Sequence, residues 1–198
     1  MKVMGESVTP PVICPTLVGR AGHLAALHLL VEHAERGEGH VALISGEAGI
    51  GKSRLVAEAK TYAATQGFLL LQGNCFPTDL TYPYAPLLDL LRSLIASHPA
   101  ATLATELEHL AHDIFPLLPE LVPGQTTPLL PLEPEQEKRR LFAVLANFFI
   151  HLSASSPLLL IIEDVHWSDS TSLDFLHSIA RRTVSHPMLL LVTYLPPG

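Results

Sequence analysis

The sequence predicts an α/β fold with a mostly parallel sheet, and three observations lead to that prediction. Four short apolar runs alternate with stretches of helical periodicity, which is the element order of parallel βαβ units. A glycine-rich loop joins the first run to the next helix, and the third run ends in two acidic residues. With 198 residues, the chain is long enough for one domain that buries a sizeable core.

The four predicted strands are runs of mainly apolar residues without polar alternation, a pattern that favours burial on both faces of a sheet. They cover residues 40–45, 68–72, 158–162 and 188–194.

Apolar residues at helical spacing, together with glycine or proline stops, predict the helices. The first helix opens at Gly19 and Arg20 and stops at Gly37, and another begins at the prolines 83 and 86. The remaining predicted helices cover residues 52–66, 100–113, 135–154 and 170–182, with a loop of short helical turns over 114–134. Residues 1–16 form an extended lead-in, and residues 17–198 form the domain.

Composition excludes several classes of protein. The chain is 48% hydrophobic, which excludes an intrinsically disordered protein. Its net charge of −7 gives no support to a basic nucleic-acid-binding surface. The two cysteines, Cys14 and Cys75, show no zinc-ligand spacing, and no apolar run approaches the length that spans a bilayer. We therefore expect a cytoplasmic protein without a membrane partner.

The glycine-rich loop between the first strand and the second helix fits the pattern GxxxxGK[ST]. It reads Gly46-Glu47-Ala48-Gly49-Ile50-Gly51-Lys52-Ser53. Glycines let backbone N–H groups turn inward around phosphate oxygens, and the helix N-terminus adds partial positive charge. Lys52 is suited to reach the β- and γ-phosphates, and the Ser53 hydroxyl is a hard oxygen ligand for Mg²⁺. The pattern predicts a nucleotide site.

The third strand ends in Glu163 and Asp164. In nucleotide hydrolases with such a loop, a strand of this kind brings carboxylates to the Mg²⁺ and to the attacking water. Glu163 occupies the position of the Mg²⁺-orienting carboxylate, and Asp164 occupies that of the water-polarising carboxylate. The commoner order is Asp-Glu, so the longer and the shorter side chain are exchanged here. Individual roles therefore stay open. The predicted catalytic set is Asp164, Glu163 and Lys52, and the predicted metal ligands are Ser53, Glu163 and Asp164.

Four blocks of sequence resemble a known family. They are Leu17-Val18-Gly19-Arg20, Gly73-Asn74-Cys75, the run from Tyr82 to Pro86 with Leu91-Arg92, and Glu163-Asp164-Val165-His166-Trp167-Ser168-Asp169. Together they are similar to the AAA-like, STAND-class P-loop ATPase module of LuxR-type large ATP-binding transcriptional regulators. The same module occurs fused to adenylate cyclase and Ser/Thr kinase domains.

The resemblance implies a three-layer α/β/α fold of strand order 5-1-4-3-2. The fifth strand and any output domain would lie beyond Gly198, so we expect a C-terminally truncated fragment. It also implies ATP and Mg²⁺ as cofactors. The nucleotide-binding residues would be the loop from Gly46 to Ser53, Arg54, and, near the adenine and ribose, Val18 and Arg20.

One departure from the resemblance bears on activity. Relatives often end the fourth strand in Thr-x-Arg, whereas this chain has Thr193-Tyr194-Leu195. Two functions therefore stay open: a nucleotide-dependent switch with slow ATP hydrolysis, and a nucleotide-stabilised scaffold for protein interactions without turnover. Two roles also stay open for His166 and Trp167: contact with the γ-phosphate, or packing alone. The expected small-molecule partner is ATP or ADP. Protein partners or self-association are expected through missing domains, and DNA only through a missing C-terminal domain.

Overall fold

A computed structural model describes residues 19–97 and 133–196 of the chain. The predicted lead-in, Val18, Cys14, the predicted helix 100–113 and nearly all of the predicted loop 114–134 lie outside these residues.

The described residues contain five α-helices and four strands, in an order close to the predicted one. The helices are α1 (Ala21–Glu35), α2 (Lys52–Thr65), α3 (Ala85–Ser97), α4 (Pro134–Ser155) and α5 (Ser170–Thr183). The strands are β1 (His40–Ser45), β2 (Leu69–Asn74), β3 (Leu158–Glu163) and β4 (Met188–Tyr194). Two short 3₁₀ turns, Pro77–Thr81 and Val165–Trp167, follow β2 and β3.

The four strands form one parallel sheet of order β1-β4-β3-β2. This is the predicted order for strands 1 to 4, so the prediction of a parallel α/β sheet is confirmed. In the register of the sheet, Ser45 pairs with Tyr194 and Asn74 pairs with Glu163. The carboxyl ends of all four strands therefore meet at one edge.

Helices cover both faces of the sheet, which gives the predicted three layers. Alternate side chains of β3 and β4 point to opposite faces: Ile161 and Leu191 join a core with α1 and α2, whereas Ile162 and Leu190 join a core with α3, α4 and α5. The first core holds α2, the helix that follows the glycine-rich loop, against the sheet. The second is built around the large side chains Phe148, Phe149 and Phe175.

Two local features fix the ends of elements. Asp169 caps α5, because its carboxylate accepts a hydrogen bond from the Ser172 N–H (3.0 Å). Gly39 leads into β1 so close to the turn after α5 that a Cβ placed on it would lie 2.0 Å from the Thr183 carbonyl oxygen. Within residues 19–97 and 133–196, none of the helices is both long and apolar enough to cross a membrane.

Candidate functional site

The candidate site lies at the edge where the parallel strands end. Residues 46–51 leave β1 there, Asp164 follows β3, and Leu195 follows β4. Loops at the carboxyl ends of parallel strands are the usual ligand sites of open α/β sheets. The fold therefore brings together the two motifs that the sequence placed more than 100 residues apart.

The glycines of the loop adopt backbone angles that other residues avoid. Gly49 has φ 77° and Gly51 has φ 99°, both in the left-handed region where glycine is favoured. Gly51 is the N-cap residue of α2 and has no side chain with which to cap the helix. The N–H groups of the first turn of α2 are thus available to an anion.

Lys52 lies inside the loop. Its ammonium donates hydrogen bonds to the carbonyl oxygens of Gly46 (2.9 Å) and Glu47 (3.1 Å), and the residue is buried. A buried cation needs such partners, because an unpaired charge away from water is costly. The loop is consequently folded around a positive charge.

Arg20 reaches the loop from the start of α1. Its Nη2 donates a hydrogen bond to the carbonyl oxygen of Ile50 (3.0 Å). The sequence resemblance placed Arg20 near adenine and ribose, and that contact stays a prediction. Val18, its expected partner there, lies outside the described residues.

A cavity of about 430 Å³ lies between the loop and the ends of β3 and β4, within the size range of small-molecule sites. From the loop and α2 it is lined by Ala48, Gly49, Gly51, Lys52, Ser53 and Arg54. Across from them it is lined by Asp164, His166, Trp167 and Leu195. Five of the eight predicted loop residues, with Arg54 and Asp164, therefore share one cavity, whereas Gly46, Glu47 and Ile50 are not part of its lining.

Asp164 has a backbone conformation that is uncommon for a residue other than glycine. Its φ is 57° and its ψ is 44°, in the left-handed region that Asp and Asn tolerate better than most residues. Two hydrogen bonds support this conformation: the Asp164 N–H donates to the Thr193 hydroxyl (2.9 Å), and the Asp164 carbonyl accepts from the Trp167 N–H (2.9 Å). Residues held in this region often lie at functional sites.

Glu163 points to a different set of partners. Its Oε1 accepts a hydrogen bond from the Gln72 side chain (2.8 Å), and the same amide donates to Asn74 (3.1 Å) and accepts from Lys60 (2.5 Å). Glu163 is not among the residues that line the cavity. The structure thus separates the two neighbouring carboxylates, with Asp164 at the cavity and Glu163 in a polar network between β2, β3 and α2.

Comparison with known proteins identifies the family. Residues 16–192 match the AAA ATPase domain family. The chain belongs to the AAA ATPase domain family. It is also 30% identical over 193 residues to an uncharacterized protein of Rhizobium meliloti (strain 1021), an alignment that covers 91% of this chain and 18% of that protein. The chain therefore spans less than one fifth of the length of this relative. Its membership of the AAA ATPase domain family identifies the chain as a nucleotide-binding P-loop domain.

The cavity of this AAA ATPase domain offers oxygen ligands that suit Mg²⁺. The Ser53 hydroxyl and the Asp164 carboxylate both belong to residues of its lining, and hydroxyl and carboxylate oxygens are the hard ligands that Mg²⁺ prefers. Within the part of the chain that the structure describes, no cluster of three or more His, Cys, Asp or Glu residues could hold a metal ion. A metal held by few protein ligands, with phosphate and water for the others, is the usual arrangement for Mg²⁺.

His166 connects the cavity to the chain that follows β4. Its Nδ1 accepts a hydrogen bond from the Leu195 N–H (3.3 Å), so the neutral ring carries its proton on Nε2. That Nε2 is buried, and it has no hydrogen-bond partner among residues 19–97 and 133–196. Sequence reasoning left His166 and Trp167 open between phosphate contact and packing; both line the cavity of the AAA ATPase domain.

Gln72 and Leu195 were not predicted as part of the site. Gln72 did carry a signal, since it is the polar residue that ends the predicted apolar strand 68–72. Leu195 carried one as well, since it stands where relatives often have the arginine of Thr-x-Arg, but its place at the cavity depends on how β4 lies beside β3.

Cys75 lies in the core beside this AAA ATPase site and not at the cavity. It is 3% exposed, and burial raises the pKa of its thiol from 9.0 to about 12, a rise that the hydrogen bond with Ser168 opposes. The thiol is therefore protonated at neutral pH and is a poor nucleophile, as expected for a packing residue.

Proposed function

We propose that the chain is an Mg-ATP-binding regulatory module, which hydrolyses ATP slowly and acts as a nucleotide-dependent switch in a larger signalling or transcriptional regulator. The observation that supports this most directly is the cavity, because it sets the cationic phosphate loop opposite the Asp164 carboxylate. ATP is the ligand that such an arrangement suits, since its triphosphate needs N–H donors and a cation.

The residues of the chain divide the work of binding. The loop N–H groups and Lys52 hold the β- and γ-phosphates, and Lys52 exchanges its bonds to Gly46 and Glu47 for bonds to phosphate oxygens. Ser53 and Asp164 would hold the metal, and Glu163 is proposed as a further carboxylate near it. Bound Mg²⁺ would neutralise part of the negative charge of the phosphates.

Asp164 is proposed to orient the attacking water. Its carboxylate accepts a hydrogen bond from a water that faces the γ-phosphate, and hydrolysis of ATP then yields ADP and phosphate. The Thr193 hydroxyl keeps the Asp164 backbone in place during this step.

The switch is proposed to act through the end of β4. Asp164 and His166 each bond to residues of that segment, Thr193 and Leu195. A change at the γ-phosphate would shift these bonds and with them the chain that follows, which is how nucleotide switches transmit their state. The length of the Rhizobium relative, of which the chain spans 18%, fits a module of a larger protein.

A second function has one observation in its favour. Leu195 lines the cavity at the position where the resemblance leads us to expect an arginine, so a cation that could stabilise charge during hydrolysis is replaced by an apolar side chain. A scaffold that binds ATP without turnover would show this feature.

Two measurements test these proposals. Calorimetry with Mg-ATP should show binding by the wild-type chain, a loss of at least about 100-fold in affinity in Lys52→Ala, and wild-type affinity in the control Lys138→Ala. Lys138 is a suitable control because it pairs with Asp174 in the helical layer on the opposite face of the sheet from α2. Equal affinities of the wild type and Lys52→Ala would refute the proposed site.

Phosphate release then separates the switch from the scaffold. Release above background that falls in Asp164→Asn supports an ATPase, whereas binding without release supports the scaffold. For the switch itself, hydrogen exchange at the Leu195 N–H should differ between the ATP-bound and ADP-bound chain; identical exchange would contradict transmission through β4.

A further inference from the structure

We infer that Arg20 is a positioning residue for the phosphate loop, which holds the Ile50–Gly51 peptide so that the Gly51 N–H faces a bound phosphate. The inference rests on the proposed function, since it concerns how the same site binds phosphates. It assigns Arg20 a role different from the contact with adenine and ribose that the sequence resemblance implies.

The orientation of this peptide follows from its hydrogen bond. Arg20 Nη2 holds the Ile50 carbonyl oxygen at 3.0 Å, and the chain has no cis peptide bonds among its described residues. In a trans peptide the C=O and the following N–H point in opposite directions. Fixing the Ile50 carbonyl toward Arg20 therefore turns the Gly51 N–H away from it. Gly51 lines the cavity and Ile50 does not, and from this we infer that the N–H lies on the ligand side.

This peptide needs an external restraint. A flip of the Ile50–Gly51 peptide changes only the ψ of Ile50 and the φ of Gly51, and glycine populates positive and negative φ about equally. Gly51 has φ 99°, so it can rotate to the alternative without a steric penalty from a Cβ. A flipped peptide would present a carbonyl oxygen to the phosphate, and that contact is repulsive.

Arg20 is suited to provide the restraint because its own position is fixed. It is the N-cap residue of α1, and α1 shares a core with α2, in which Leu27 and Val31 pack with Leu55 and Val56. The bond thus joins the loop to a helix that packs against α2. A guanidinium presents several donors in a fixed plane, a geometry that suits a directed bond to one carbonyl oxygen.

The test compares two ligands in calorimetry: Mg-ATP, and Mg-tripolyphosphate, which has the phosphates without base or ribose. For Arg20→Ala we expect both affinities to fall by the same factor, about 5- to 10-fold, as for the loss of one charge-assisted hydrogen bond. Arg20→Lys, which keeps the charge but not the planar fork, should show a smaller loss that is again equal for the two ligands. A fall for ATP alone would assign Arg20 to the base or ribose, and no fall for either ligand would equally overturn the inference.

Arg36→Ala is the matched control. It removes the same charge from the C-terminal end of the same helix, about 24 Å from Arg20 along α1, and it should leave both affinities unchanged. A loss in Arg36→Ala as large as that in Arg20→Ala would mean that net charge, not the bond to Ile50, is responsible. Absence of binding by the wild-type chain would refute the proposed function itself, whereas equal binding by wild type and Arg20→Ala refutes only the inference.

A second measurement separates positioning from a general structural role. Hydrogen exchange should show that tripolyphosphate protects the Gly51 N–H in the wild type but not in Arg20→Ala, while the Ser53 N–H stays protected in both. Thermal unfolding of the ligand-free variants should be unchanged within a few degrees, and if Arg20→Ala does not fold, Arg20→Lys provides the same comparison. Equal loss of protection at Gly51 and Ser53 would contradict a specific role for the Ile50 carbonyl.

Discussion

The side-chain hydroxyl of Thr193, at the end of β4, accepts a hydrogen bond from the backbone N–H of Asp164, with 2.9 Å between the oxygen and the nitrogen. Thr193 is 1% exposed, so its hydroxyl is shielded from water, whereas Asp164 is half-buried. It joins two neighbouring strands at the point where the Asp164 backbone turns into the left-handed region. The direction of the Asp164 carboxylate thus depends on a residue 29 positions further along the chain.

We predict that Thr193→Val lowers phosphate release about tenfold but changes ATP affinity by less than about twofold, because it removes an acceptor and leaves the phosphate loop intact. Thr193→Ser keeps the hydroxyl and should retain most of the activity. The measurements are phosphate release and calorimetry with Mg-ATP. A tenfold loss of ATP affinity in Thr193→Val would show that Thr193 acts on binding and not through Asp164.

A second prediction concerns the bond between Gln72 and Glu163, which lie 91 residues apart in the chain. Removing one partner leaves the other half-buried with one hydrogen bond fewer. A double-mutant cycle of Gln72→Ala and Glu163→Ala should therefore give a coupling of about 1 kcal/mol in the free energy of unfolding. Urea unfolding measures the four proteins. Effects that add within about 0.3 kcal/mol would mean that the bond contributes nothing to stability.

The third prediction concerns the buried thiol of Cys75. In the variant Cys14→Ser, where Cys75 is the remaining cysteine, a thiol reagent at pH 8 should react slowly with the folded protein and rapidly in urea. The reason is that burial raises the pKa of this thiol to about 12, so that little thiolate is present. Rapid reaction in the folded state would contradict the buried position.

The same pKa sets the sign of a pH dependence. Because the folded state holds the Cys75 proton more tightly than the unfolded state, its contribution to stability is complete below about pH 9 and is lost as the pH rises toward 12. The difference in unfolding free energy between the wild type and Cys75→Ala, measured by urea unfolding, should therefore shrink between pH 9 and 11. A difference in unfolding free energy that does not change with pH would argue against the raised pKa of Cys75.

The fourth prediction compares two glycines. Gly39→Ala should destabilise the protein by more than about 3 kcal/mol, because the new Cβ would lie 2.0 Å from the Thr183 carbonyl oxygen and 2.5 Å from that of His186. Gly22→Ala, in the first turn of α1, has no atom within 4 Å of the new Cβ and should stabilise by about 0.5 kcal/mol. Thermal unfolding checks both, and similar midpoints for the two variants would contradict the packing at Gly39.

Local chemistry made much of the fold predictable. The apolar runs gave β1 and β4 their observed bounds, and the glycine and proline stops placed the helix ends within a few residues. The sequence put the end of β2 at Gln72, but the strand continues to Asn74, since Asn74 pairs with Glu163 of β3. Pairing partners of this kind are distant in the chain and leave no local pattern.

The site was predictable to the same degree and for the same reason. The loop motif carried its own geometry, so the position of Lys52 and Gly51 at the end of β1 could be predicted from sequence, whereas their contacts with phosphate stay a prediction. The separation of Glu163 from Asp164 could not, because it depends on the Gln72 amide of a neighbouring strand. The contact between Lys138 of α4 and Asp174 of α5 (2.6 Å) likewise leaves no local pattern, because the two residues lie 36 positions apart and meet only through the packing of the two helices.

Lys52 has a consequence for the speed of the first encounter with a nucleotide. Since its ammonium already bonds to the Gly46 and Glu47 carbonyls, the loop does not have to organise itself around an incoming phosphate. Little conformational entropy is lost when the ligand arrives, and preorganisation of this kind strengthens binding by lowering that cost. For the proposed nucleotide site we therefore expect association to be limited by diffusion and by the exchange of these two hydrogen bonds, so that nucleotides should differ mainly in the lifetime of their complexes.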